Sequence, residues 1–149
     1  MDKLHDILPV LAQYNAAFAC LAMLCLITLI QNFLTAPLAF ASNKQTPGMP
    51  LQHDYSDLSF RVVRTYQNST ETLPAFGFAL LAAIFVGVSA FWVNLLAGFY
   101  VGFRLLFWVI YYGGIGKVAG GPRSIAFVGS LVTNITLACM AVYQTIQHL

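Results

Sequence analysis

The sequence predicts an all-α integral membrane protein, a single domain over residues 1–149 with four membrane-crossing helices. Three observations carry this. The 149 residues are 59% hydrophobic and 8% charged, and mean hydropathy is +0.76. That is more apolar surface than a domain of this size can hide in its own core. Four apolar stretches, at about residues 14–41, 73–89, 92–112 and 125–146, alternate with polar or glycine-rich segments. Finally, the few ionisable residues are clustered rather than scattered.

Each element follows from its residues. Residues 1–10 are weakly amphipathic and read as a lead-in. A helix needs roughly 20 residues to cross a hydrocarbon core about 30 Å thick, and the first stretch is ample. Residues 43–57 hold Pro47, Gly48 and Pro50 and form the main polar loop. The second stretch is short and borrows length from a polar helix that begins near Ser56. Residues 89–94 make a tight turn. The third stretch ends where Gly113, Gly114 and Gly116 begin a glycine-rich loop running to Gly120 and Gly121, and Pro122 opens the fourth helix.

Net charge is +2, too small to point to nucleic acid. Its distribution orients the chain. Lys44, Arg61, Arg64, Lys117 and Arg123 lie in or beside the first and third connections, whereas the second connection and the C-terminal tail carry no Lys or Arg. The positive-inside rule places the first and third loops in the cytoplasm and both termini outside. The run from Leu38 to Ser42 resembles a signal-peptidase site, but the apolar run before it is too long for a signal core. Cys20, Cys25 and Cys139 lie in apolar spans without CxxC spacing and read as small buried hydrophobes. His5, His53 and His148 share no helix face, so no metal is expected. Gly98 and Gly102 form a GxxxG pattern that invites close helix approach, and Asn134 is suited to bonding across a helix interface.

Three constellations suit chemistry. Arg61, Arg64, Asn68 and Glu71 fall within eleven residues and, at helical spacing, within an arc of roughly 80°. Ionisable groups at membrane depth are expensive, which makes the cluster a candidate site. Arg104 lies about 13 Å from the cytoplasmic end of its span. Glu71 is the only acidic residue inside a span, so Arg104 is expected to face it, directly or through a ligand. Tyr100 and Tyr111 share the Arg104 face. The third constellation runs from Gly120 to Ser124. The N–H groups and dipole of a helix start attract anions there, and Arg123 and Ser124 add donors. Several donors, one carboxylate and apolar walls suit a small multivalent anion with one amine. A peptide thiol such as glutathione fits, its thiolate stabilised by a neighbouring arginine.

The pattern of Arg61, Arg64, Asn68, Glu71, Pro74 and Phe76 resembles the MAPEG family, membrane-associated proteins in eicosanoid and glutathione metabolism. It is most similar to the leukotriene C4 synthase-like branch and to a prokaryotic member. A second block, Arg104, Phe107 and Tyr111 followed by Pro122, Arg123, Ser124 and Phe127, resembles the third and fourth helices of the same family. The resemblance implies a homotrimer of four-helix bundles, with glutathione as co-substrate between subunits near the cytoplasmic face. Arg61, Arg64, Asn68, Glu71, Arg104 and Tyr111 would bind it. Arg123 would stabilise the thiolate, with Ser124 beside it as the second catalytic residue. A hydrophobic small molecule or lipid would enter from the bilayer. The chain departs from the family pattern at Gln31 and Asn32, where an arginine is common, and at Phe107 and Phe127. The expected activity is that of a glutathione transferase or peroxidase acting on lipophilic electrophiles. The alternative is a non-catalytic lipid-binding or scaffold protein on the same fold. A transporter fits less well, because the polar groups cluster towards one side.

Overall fold

The computed structural model describes residues 9–42, 55–116, 120–147 and 149. Most of the lead-in and polar loop, Lys117, and the three histidines fall outside the described residues. Among the described residues four long helices run in order: α1 (Asn15–Ser42), α2 (Leu58–Phe85), α3 (Ala90–Tyr112) and α4 (Pro122–Gln147). Among the described residues all regular structure is helical. α2 and α3 each pack against the other three helices.

Helix ends explain the frame. Asp57 caps α2: its Oδ1 accepts from the backbone N–H and the hydroxyl of Ser59, both at 2.8 Å. α2 ends at Phe85, four residues short of the apolar stretch expected to reach Ser89. The cause is Gly87, at φ 79°. Val88 N–H donates to Ala83 C=O at 2.9 Å and Gly87 N–H to Ile84 C=O at 3.1 Å. That pair of bonds is a Schellman stop, which hydropathy does not register. α3 stops the same way. Gly114 sits at φ 61°, with Ile115 N–H to Ile110 C=O and Gly114 N–H to Tyr111 C=O. Pro122 opens α4, as its preset φ and missing N–H favour.

Three of these helices are long and apolar enough to cross a membrane, over Asn15–Pro37, Ala90–Tyr112 and Pro122–Gln147. α2 is the exception, because Arg61, Arg64 and Glu71 occupy its first half. The outer surface is apolar: Phe33, Phe78 and Phe85 are each more than 70% exposed, as suits contact with lipid.

The main core lies toward the turn joining α2 to α3. Phe76, Leu80, Ala83, Val93, Ala97 and Leu137 are fully enclosed there. Tyr100 stacks flat on Phe76 with ring centroids 4.0 Å apart. The Tyr14 hydroxyl donates to Val88 C=O at 2.6 Å. Asn94 accepts from Ala17 N–H at 2.9 Å and donates to Gln13 C=O at 2.7 Å, so α3 caps the start of α1. A Cβ on Gly98 or Gly102 would meet nothing within 4 Å. The close approach is at Gly129 instead, where a Cβ would sit 2.6 Å from the Phe103 ring.

Candidate functional site

At the opposite end the helices part around a cavity of about 430 Å³. α2 supplies Arg64 and Asn68, one helical turn apart. α3 supplies Phe107 and Tyr111, again one turn apart, and the first turns of α4 supply Arg123, Ser124 and Phe127. Three helix faces thus converge, polar on the α2 side and at the start of α4, aromatic between.

Arg64 donates to Glu71 Oε1 at 3.0 Å, with the two side chains 38% and 55% exposed. An exposed pair of this kind contributes about 0.2–1 kcal/mol. Arg64 is therefore free to turn toward a bound anion at little cost. Asn68 is buried, and its Oδ1 accepts from Arg104 Nη1 at 2.7 Å. With the carbonyl oxygen engaged, the amide N–H groups are what Asn68 has left to offer a ligand.

Arg104 does not face Glu71. Its second bond goes from Nη2 to Ser69 Oγ at 3.2 Å, and its guanidinium lies 5.0 Å from the Phe107 ring centroid. Neutral acceptors and an aromatic face hold this buried cation. The correction has a geometric reason: Asn68 and Glu71 are about 60° apart around α2, and Asn68 is the one turned to α3.

Arg61 does not line the cavity either. Its Nη1 donates to the carbonyls of Tyr55 at 2.9 Å and Ser56 at 2.8 Å, and its Nε to that of Tyr112 at 3.3 Å. It joins the approach to α2 to the last turn of α3, whose final carbonyls have no partner within the helix. Tyr100 belongs to the core, its hydroxyl 3.5 Å from Thr72 C=O.

Tyr111 and Arg123 meet at the cavity wall. Tyr111 is buried and packs 5.2 Å from Phe107. The Arg123 guanidinium lies 5.0 Å from the Tyr111 ring centroid and 5.3 Å from that of Tyr55. Ser124 lies in the first turn of α4, its N–H donating to Gly121 C=O at 2.9 Å. Tyr55 is a residue the sequence does not advertise, because it lies between α1 and α2, outside either periodic segment.

Behind Arg104 lies a second, much smaller void of about 10 Å³, bordered by Thr28, Gln31, Ser69, Thr72 and Arg104. That is about the room one water needs. Gln31 is 1% exposed, and its Oε1 has no hydrogen-bond partner among the described residues. It points inward, away from the main cavity's lining. Among the described residues no three metal-ligating side chains come together.

Fold and site together define a helical membrane protein with a cationic, aromatic-walled cavity near one end of the bundle. Residues 17–143, nearly the whole chain, match the model of the MAPEG family, and the protein belongs to that family. A search of curated proteins finds no match.

Proposed function

We propose that this protein is a membrane-bound glutathione transferase or peroxidase acting on lipophilic electrophiles. The observation that carries the reading is the convergence of Arg64, Asn68, Arg123 and Ser124 on one cavity walled by Phe107, Tyr111 and Phe127. Its volume of about 430 Å³ falls within the roughly 300–1,000 Å³ usual for small-molecule sites. Family membership supports the same reading, since the family includes glutathione transferases and peroxidases.

In this reading Arg64 and Asn68 hold a glutathione carboxylate and the peptide backbone. Glu71, paired with Arg64, receives the α-amine. Arg123 and the start of α4 stabilise the thiolate. The thiol gives its proton to solvent. The sulfur then attacks an electrophilic carbon to form a thioether, as a leaving group departs with the bonding pair, or an epoxide C–O or conjugated C=C bond opens and takes up a proton from solvent, with proximity supplying much of the acceleration. In the peroxidase variant the same thiolate reduces a hydroperoxide to an alcohol and water, and a second glutathione completes the disulfide. Arg61 and Arg104 hold the walls rather than the ligand. The proposed assembly is a homotrimer of four-span subunits, in a bacterial inner membrane with both termini outside and the cavity toward the cytoplasm.

Calorimetric titration of detergent-purified protein with glutathione, with parallel ultraviolet difference spectra, tests the reading. Binding with a thiolate signal is expected. No binding at millimolar glutathione overturns it. Phe107 and Phe127 pack 6.2 Å apart as an apolar wall, which favours a lipid-binding scaffold as the second reading; co-purified lipid in place of glutathione binding would establish that one.

A further inference from the structure

We propose that Tyr55 is a positioning residue for Arg123, and that Arg61 holds Tyr55 in place for that purpose. The proposal rests on the reading of Arg123 as the thiolate-stabilising residue and adds how its guanidinium is aimed. Tyr55 and Tyr111 meet edge to face, with centroids 5.3 Å apart and planes at 90°. Arg123 lies 5.3 Å and 5.0 Å from the two centroids, near the corner they make. Arg123 has a further interaction besides these, but the two ring contacts restrict its position from two directions. A guanidinium is planar and weakly hydrated, so it keeps its charge against aromatic surfaces.

What fixes the corner is Arg61. One end of its guanidinium grips the carbonyls of Tyr55 and Ser56, and its Nε reaches the carbonyl of Tyr112, the residue after Tyr111. The same side chain therefore anchors the backbone beside both rings. Gly114 leaves it room: a Cβ there would stand 3.2 Å from the Arg61 guanidinium carbon. Phe107, 5.2 Å from Tyr111 on its own helix, backs the second ring. The Tyr55 hydroxyl is buried with no hydrogen-bond partner among the described residues. It is therefore the ring face, and not the hydroxyl, that does the positioning.

The test compares Tyr55→Phe with Tyr55→Leu in the full-length, detergent-purified protein. Two readouts are taken: ring-current shifts of the Arg123 side-chain signals, assigned with Arg123→Lys, and turnover of a chloronitrobenzene probe with glutathione. Tyr55→Phe should match the original protein within about twofold in turnover and keep the Arg123 shifts. Tyr55→Leu should lose much of the shift and about tenfold in turnover, as loss of one partly buried cation–π contact implies, with glutathione affinity changed less than about threefold. An unchanged Arg123 shift in the leucine variant overturns the proposal, and so does equal loss of turnover in the two variants. If the original protein binds no glutathione, the functional reading fails on its own; the Arg123 shifts of the two variants still decide where Tyr55 holds the guanidinium.

Discussion

The two ends of the bundle use polar residues in opposite ways. At the end where α2 turns into α3, Tyr14 and Asn94 fasten the backbone. Tyr14 secures Val88, and Asn94 secures Ala17 and Gln13, above a core of Phe76, Leu80 and Val93. At the other end Arg61 and Arg104 do similar work, bonding carbonyls, an amide and a hydroxyl. Arg64, Arg123 and Ser124 border the cavity. Charge alone does not mark function in a membrane helix. What marks it is polarity gathered on a cavity that a ligand can enter.

The sharpest way to break this comparison is Arg123→Ala. If Arg123 faces developing negative charge on sulfur, turnover should fall about 10²–10³-fold, as for loss of one donor to a reacting anion. Glutathione affinity, read by calorimetry, should stay within a fewfold, and stability should fall by no more than about 1–2 kcal/mol, the worth of the ring contacts to Tyr55 and Tyr111. A large drop in unfolding temperature would put Arg123 with Arg61 among the fastening residues. Next in size is Glu71→Gln. Losing a charged partner for the α-amine should weaken glutathione about tenfold. Stability should change by less than about 1 kcal/mol, because the pair with Arg64 is exposed. At the opposite end Asn94→Ala should reverse the pattern. Two bonds to the start of α1 are lost, costing about 1–2 kcal/mol in a thermal or denaturant melt. Glutathione affinity should be unchanged.

The helices were legible because membrane burial writes itself into hydropathy, and the start of α4 because Pro122 follows two glycines. The end of α2 was not: a backbone stop at Gly87 lies inside an apolar run, so hydropathy passes over it. Within the site, helical periodicity correctly gathered Arg61, Arg64, Asn68 and Glu71 onto one arc but gave azimuth without depth or partner. It could not say that Arg61, one turn nearer the helix start, meets the carbonyl of Tyr112. Nor could it say that Asn68 rather than Glu71 meets Arg104. The expectation of a carboxylate beside Arg104 assumed that a buried cation needs an anion, whereas two neutral acceptors and the Phe107 ring serve. Tyr55 carried no signal, since neither spacing nor charge distinguishes it from other loop aromatics. The GxxxG pattern meets no neighbour among the described residues, while the close contact at Gly129 has no motif.

Gln31 gives the smallest expected effect and separates the two kinds of polarity most finely. It is enclosed behind Arg104 with an acceptor oxygen that nothing among the described residues satisfies. An unsatisfied buried amide costs about 1–3 kcal/mol, and replacing it by an apolar group of the same shape is close to neutral or stabilising. Gln31→Met keeps the length and removes the polar atoms, so the melt should shift by less than about 1 kcal/mol, with the sign toward greater stability. Turnover and glutathione affinity should both stay within about twofold, because Arg104 retains its bonds to Asn68 and Ser69. A turnover loss of tenfold or more with unchanged stability would mean that Gln31 reaches the reacting groups after all. The polarity that serves the cavity would then extend through Arg104 into the first helix.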